Sequence, residues 1–413
     1  MARAPVELEI GRIGAQGDGV ADGPVFVPLT LPGERVRARV EGERGDLIEV
    51  LRASPERIAP VSPHYGECGG CSLQHWAHGP YLAWKVEQVR LALARERIET
   101  EILTPFAAQP GTRRRLALHA RKGRGGAEIG FKARRSWRLV GIEVCPIADP
   151  RLVAAFPALR ALAEPFLEHP KSAPTLHVTW TATGLDVDIT GVERRSGGLS
   201  ADARMRAAEA ASAGDMARVT MSGEIVYQAR QPMVRLGPAV VALPAGAFLQ
   251  AVPQAEAAMA AFVVEAVAGA GRLADLYCGV GTFTFRLAEI APVLAVDFSA
   301  PAISALKAAI ATAPGLKPIA AEPRDLVRRP VLSMELAKIE AVVLDPPRAG
   351  AAEQVGEIAR STTPRVAYVS CNPATFARDA RTLVDAGFTL ERVLPVDQFL
   401  WSPHIELVGV FSR

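Results

Sequence analysis

The sequence predicts an α/β protein whose C-terminal part is a doubly wound, Rossmann-like domain, preceded by an OB-like β-barrel and a central α+β domain. Three observations lead there. Strand-like apolar runs at Leu273–Tyr277, Val293–Asp297, Ala341–Asp345 and Arg365–Ser370 alternate with helical stretches, as in a parallel sheet covered on both faces. Near the start, short alternating runs are parted by glycine-rich turns, as in small barrels. Between these regions, strand-like and helix-like segments alternate without an internal repeat. A chain of 413 residues has room for two or three domains, and the divisions fall at 1–60, 61–240 and 241–413.

Residues 6–58 hold the runs Val6–Ile10, Val25–Pro28, Arg35–Val40 and Asp46–Leu51, with turns at Gly17-Asp18-Gly19 and Pro32-Gly33. Barrels of this kind bind nucleic acid or serve as plain structural modules, and the pattern alone does not choose. Residues 59–80 break the rhythm with Pro, Gly, His and Cys; Tyr81 to Arg97 then repeats apolar residues at helical spacing. The last run, Ile405–Phe411, follows a short loop and reads as an antiparallel strand.

Apolar residues at 49% and charged residues at 22% exclude a disordered chain. A formal net charge of +3 says little about partners, so the placement of the cations matters more. The most apolar stretch, Ala257 to Gly271, is short for a membrane span and contains Glu265. Met1 to Arg12 lacks the apolar core of a secretion signal. A cytoplasmic monomer without membrane association is expected. Its cysteines number five, two of them in Cys68-x-x-Cys71, which in a reducing compartment points to metal or nucleophile chemistry before disulfides.

Asp275-Leu-Tyr-Cys-Gly279-Val-Gly281 leaves a strand for a turn in which glycines let a cofactor approach the backbone. Asp297 ends the next strand, where a carboxylate accepts both hydroxyls of a ribose. A nicotinamide cofactor calls for a third glycine where Thr284 stands. Leu344-Asp345-Pro346-Pro347-Arg348 ends a further strand. Its two prolines stiffen the turn and hold Asp345 at the carboxyl edge, where open α/β sheets bind ligands; a capping Asp in an ordinary turn is the plainer alternative.

Tyr368-Val-Ser-Cys371-Asn-Pro373 puts a cysteine at the next strand end, just ahead of a helix. The free N–H groups and partial positive charge of a helix N-terminus lower a thiol's pKa, so Cys371 reads as a thiolate facing the cofactor cleft. Cys278, inside the glycine turn, reads as a small core residue. Pro403-His404-Ile405-Glu406 supplies a carboxylate near the last strand, but locally Glu406 is indistinguishable from a surface acid and His404 from a loop histidine.

Together with Gly14-Ala-Gln-Gly-Asp-Gly19, Cys68-Gly-Gly-Cys71-Ser-Leu-Gln-His75 and Phe248-Leu-Gln250, these motifs resemble, in order and over nearly the whole chain, the bacterial RNA uridine-5-methyltransferase family. The resemblance implies a TRAM-type barrel and an S-adenosylmethionine site lined by Gln250, Tyr277, Thr282, Asp297, Asp325 and Asp345. It implies methylation of uridine C5 in a structured RNA, with 23S rRNA favoured because transfer-RNA members commonly lack the barrel. It gives Cys371 the role of nucleophile and Glu406 that of base. Carbon 5 of uracil is a poor nucleophile until a thiolate adds to carbon 6, and a carboxylate must then remove the C5 proton. The base must leave its stack to reach the thiol. A transfer-RNA enzyme is the near alternative. A cytosine-5 enzyme usually carries a second cysteine where Pro347-Arg348 stands, and a non-catalytic RNA binder does not require Cys371, Asp345 and Glu406.

The resemblance further implies a 4Fe–4S cluster on four cysteines. Cys68, Cys71 and Cys145 match three of them, and Ser62 occupies the fourth position. Oxygen ligation by Ser62, an open iron, loss of the cluster, and zinc on Cys68, Cys71, His75 and Cys145 stay open, with a structural iron–sulfur cluster preferred. Residues 113–138 carry Arg113, Arg114, Arg115, Arg121, Lys122, Arg124, Lys132, Arg134, Arg135 and Arg138 against Glu128 alone, with Phe131 and Trp137 interleaved. Arginines reach phosphates and aromatics stack on unpaired bases, so this segment reads as an RNA contact; a solvated strand face with core aromatics is the bland alternative.

Overall fold

The computed structural model describes residues 4–193 and 199–413, so the first three residues of the Met1–Arg12 stretch lie outside it. Strands Val6–Ile13, Gly19–Ala21, Val25–Val27, Arg35–Glu41 and Arg44–Arg52 close into a barrel around Ile10, Val27, Val36 and Ala38. Gly19–Ala21 was not legible in the sequence, because three residues are too few to show a period of two. The barrel docks through Asp18, 1% exposed, which receives both Arg134 and Arg135 from the central region.

The central region is a seven-stranded sheet running from Leu139–Gly141 at one edge to Glu224–Gln228 at the other. Helices Phe156–Ala163 and Ala201–Ala213 bury their Leu, Phe and Ala faces in its core. Its strand Arg115–Gly123 starts against the C-terminal domain and runs away from it.

That C-terminal domain is built on seven strands: Leu273–Leu276 (β1), Val293–Asp297 (β2), Ile319–Pro323 (β3), Ala341–Leu344 (β4), Arg365–Ser370 (β5), Thr389–Asp397 (β6) and Glu406–Ser412 (β7). Their spatial order is 3-2-1-4-5-7-6. β1 to β5 are parallel, and β7 runs antiparallel between β5 and β6. All four residues of β1 and of β4 are buried, as strands covered on both faces require. The strand order reverses beside β1, and this switch point opens the crevice in which such sheets bind ligands.

Helix His78–Arg95 (α1) and the short strands Glu101–Ile102 and Phe106–Ala107 precede the central sheet in the chain but join the C-terminal one. The strands pair with β6, and α1 packs on helix Pro373–Asp385 (α2). Among the described residues no helix is long and apolar enough to cross a membrane.

Candidate active site

Leu276 of β1 and Leu344 of β4 are partners in register, so Tyr277 and Asp345 leave the sheet side by side. The turn after β1 is left-handed at Tyr277 (φ 66°), Gly279 (55°) and Gly281 (99°). A Cβ on Gly281 would lie 2.5 Å from the Phe285 ring, whereas one on Gly279 would meet nothing within 4 Å. Gly281 is therefore required by packing, and Gly279 bares its backbone to open space. At the end of β2, Asp297 is fixed by two backbone donors, Gly279 N–H to Oδ2 (2.9 Å) and Ser299 N–H to Oδ1 (2.7 Å). Beneath the turn Asp275 is wholly buried, and burial pushes its pKa up to about 7 although the Thr284 hydroxyl donates to it. Thr284, in the place of a nicotinamide-type third glycine, thus supports the turn from below. Asp275 Oδ1 and the Tyr277 hydroxyl are buried without a partner among the described residues.

Opposite this turn the chain is clamped by two arginines. Arg115 Nη1 donates to the Leu249 carbonyl (2.8 Å), and Arg114 donates to the Gln250 carbonyl (3.0 Å) while pairing with buried Glu256 (2.6 Å). So held, Gln250 donates from Nε2 to Asp345 Oδ2 (3.2 Å). Gln398, just beyond β6, donates from Nε2 both to Gln250 Oε1 (2.7 Å) and to Glu406 Oε1 (3.0 Å). Glu406 opens β7 and is 4% exposed; burial raises its pKa to about 7, against the pull of the Gln398 bond. Burial, then the fields of Glu406 and Asp275, holds Asp345 well above the ordinary carboxyl range.

Cys371 lies between β5 and α2, half-buried. Its thiol is not acidified as the sequence suggested. Burial, then Glu406 and Asp345, pushes its pKa up to about 11, with Arg348 opposing. The positive end of α2 is already engaged: Pro373 brings no N–H, and Asn372 caps the helix by accepting from Ala374 N–H (3.1 Å). Asn372 Nδ2 and the Thr375 hydroxyl also donate to the Arg348 carbonyl, and Asp379 accepts from Ala351 N–H (2.8 Å) and the Tyr368 hydroxyl (2.6 Å). The cysteine loop and the Asp-Pro-Pro loop are therefore one framework.

Residues 239–413 match the family model described as tRNA (Uracil-5-)-methyltransferase. An RNA methyltransferase of Caulobacter vibrioides is 71% identical, covering 98% of this chain and all of its own. The 23S rRNA (uracil(1939)-C(5))-methyltransferase RlmD of Halomonas elongata is 34% identical, over 97% of this chain and 88% of that protein. The chain belongs to the S-adenosylmethionine-dependent RNA uracil-5-methyltransferase family. The fold agrees with a solved Pyrococcus abyssi tRNA (uracil-54, C5)-methyltransferase in complex with S-adenosyl-L-homocysteine, at TM-score 0.73 and 24% identity, covering 98% of this chain and 99% of that one.

Of the residues the uracil-5-methyltransferase motifs single out, Gln250, Asp345, Cys371 and Glu406 face one another. Tyr277 and Asp297 form the adjoining wall with the glycine turn, where Thr282 is buried and gives its carbonyl to Arg286. Asp325 stands apart beyond β3; it caps its own turn by accepting from Val327 and Arg328 N–H, and only its field reaches the Tyr277 hydroxyl. Cys278 is core, as read. Sequence reasoning missed Gln398, whose only signal is its place eight residues before Glu406.

Cys68, Cys71 and Cys145 line one cavity with Ser62, and burial raises all three thiols, Cys71 to about 12. Among the described residues no three His, Cys, Asp or Glu side chains converge to hold a metal ion, which speaks against the zinc alternative and gives the expected iron–sulfur cluster on Cys68, Cys71 and Cys145 no support. His75 is outside that cavity, its Nδ1 against the Tyr65 hydroxyl.

The basic segment also needs correction. Arg113 is half-buried, with Nε donating to the Arg115 carbonyl; Arg114 and Arg115 clamp Leu249 and Gln250; Arg134 and Arg135 bind Asp18. Arg121 and Arg138 pair with Glu128 and Glu67. Lys122, Arg124 and Lys132 remain without an ion pair among the described residues. Phe131 packs toward the cysteines, whereas Trp137 is 86% exposed.

Proposed function

We propose that this chain methylates carbon 5 of a uridine in 23S rRNA through a covalent bond between Cys371 and carbon 6. The convergence of Cys371, Glu406 and Asp345 on one cleft carries the reading, since Glu406 and Asp345 are the charges that govern the sulfur after burial itself. S-adenosylmethionine supplies the methyl group as a sulfonium. The open face of Gly279, the fixed carboxylate of Asp297, the unpartnered Tyr277 hydroxyl and the acidic surroundings suit such a cation. Gln250, Tyr277, Thr282, Asp297, Asp325 and Asp345 would hold it. The Cys371 thiolate adds to carbon 6, carbon 5 takes the methyl group, Glu406 accepts the C5 proton, and the thiolate is eliminated.

The ribosomal substrate rests on the likeness to the Halomonas enzyme; the barrel does not choose, since the solved tRNA (uracil-54, C5)-methyltransferase aligns over 98% of this chain, and the name of the matching family model favours transfer RNA as the second reading. We take residues 1–60, 61–240 and 241–413 as the working units, the first two for RNA and the third for catalysis, with residues 78–107 of the second built into the catalytic sheet, in a cytoplasmic monomer. Any iron–sulfur cluster in this chain would be held by Cys68, Cys71 and Cys145, which line one cavity with Ser62 in the place of a fourth ligand. Iron and sulfide analysis of anaerobically purified protein tests that assignment.

Cys371→Ala should abolish methylation and keep RNA binding; activity in that variant removes the covalent route. Glu406→Gln should trap an RNA adduct stable on a denaturing gel, and methylation without a shifted band discards Glu406 as base. Mapping 5-methyluridine in ribosomal and transfer RNA of a deletion strain decides the substrate.

A further inference from the structure

Gln398 is 2% exposed, and every polar atom of its amide is engaged. Its Oε1 accepts from Ala251 N–H (3.0 Å), so the amide cannot be flipped, and Nε2 must face Gln250 and Glu406. Its neighbours in the chain are pinned by a single side chain, as Lys85 Nζ donates to Asp397 Oδ1 (2.5 Å) and to the Phe399 carbonyl (3.0 Å). Gln398 binds Glu406 at Oε1, and the structure gives Oε2 no partner among the described residues.

We propose that Gln398 is a positioning residue for the C5 deprotonation: it holds the Glu406 carboxylate with one oxygen bound and the other free, and couples it through Gln250 to Asp345. This rests on Glu406 being the base. A donor to a carboxylate favours its ionised form, so losing Gln398 leaves a buried acid that keeps its proton at neutral pH. Around Glu406 lie Asp345 beyond β4, Cys371 beyond β5, Arg348 and His404 in the bordering loops, Arg113 over the Phe399 ring, and the Lys85–Asp397 pair from α1 and β6.

The test is a single-turnover comparison on bulk RNA from a strain lacking this gene, grown on 5-tritiated uridine, at saturating S-adenosylmethionine. Methyl incorporation and tritium release are followed together across pH. Because Cys371 acts before both, the ratio of release to incorporation isolates Glu406. In Gln398→Met the acidic limb of that ratio should rise by about one pH unit, release at pH 7 should fall about fivefold, and an RNA adduct should build up that drains as pH is raised. Gln398→Asn, a milder change that keeps the amide but shortens its reach, should shift the limb in the same direction and less. A limb left at the wild-type position, or incorporation and release that fall in parallel, overturns the proposal. Normal release in Glu406→Gln removes the base itself, and is told apart from failure of Gln398 alone by the absence of any adduct in that variant.

Discussion

Asp275, Asp297, Asp345 and Glu406 bring four carboxyl groups to the walls of one crevice, and the Cys371 sulfur lies among the last two. A thiol raised to about 11 is almost wholly protonated at neutral pH, so the resting protein holds its nucleophile in check. A bound cation offsets the field of Glu406 and Asp345 and favours the thiolate. S-adenosylmethionine and S-adenosylhomocysteine differ by one methyl group and one positive charge, which makes them a clean pair. At pH 8 iodoacetamide should label Cys371 faster with the former bound, by about tenfold for each unit the pKa falls, read from the Cys371 peptide by mass spectrometry. Equal rates would mean that the sulfonium does not act on this sulfur. Tritium release should for its part rise through about pH 7 as Glu406 ionises, since only the carboxylate can accept the C5 proton.

The elements that carry these residues are held by groups far from the chemistry. Lys85 and Asp397 are both fully buried, and the Tyr81 hydroxyl adds a second donor to Asp397 (2.7 Å) while accepting from Trp401 N–H. The Trp401 carbonyl in turn accepts from Ser72 and Leu73 N–H, which ties the cysteine segment to the loop before Glu406. Removing one member of a buried ion pair leaves the other uncompensated, so Lys85→Ala should cost about 3–5 kcal/mol in chemical denaturation and slow proton removal as the Gln398 loop loosens. A loss under about 1 kcal/mol would show that the pair does not anchor this loop. None of this was legible in sequence. Nothing in the helical run around Lys85 marks it out from any other cation, and Asp397 lies 312 positions away in the chain. The strands ending in Asp297, Leu344 and Ser370 were legible because buried parallel strands are apolar throughout, whereas the edge strand β3, with Glu322 and Pro323 in it, has no such signature. Gln250, Cys371 and Glu406 could be found by motif, but the charges that set their protonation come from separate strand ends.

Across the whole molecule, cations that looked like one RNA-binding run serve two purposes. Arg114, Arg115, Arg134 and Arg135 join the three parts of the chain to each other. Lys122 and Arg124 lie at the end of strand Arg115–Gly123 far from the clamp on Gln250, Lys122 roughly 20 Å away by strand rise, whereas Lys132, on the antiparallel neighbour Gly126–Lys132, lies back toward the clamp. Lys122, Lys132, His119 and Trp137 border an open groove, with Lys132 Nζ 3.9 Å from the Trp137 ring centre. None of the residues around Cys371 borders this groove, so it suits an unpaired stretch flanking the target, not the target base. Two effects should then separate in binding to a single-stranded oligonucleotide. Trp137→Ala removes a stacking platform, costing about 1–3 kcal/mol while leaving the dependence of log K on log salt unchanged. Replacing Lys122, Arg124 and Lys132 together should flatten that slope by about 2, at roughly 0.7 per phosphate contact on a single strand. Arg134→Ala with Arg135→Ala should scarcely change the slope, because both guanidinium groups are committed to Asp18 and their loss is felt at the barrel's seat. If that double variant flattens the slope as much as the three-cation variant does, the barrel contact opens to RNA, and the division of labour argued from the ion pairs is wrong.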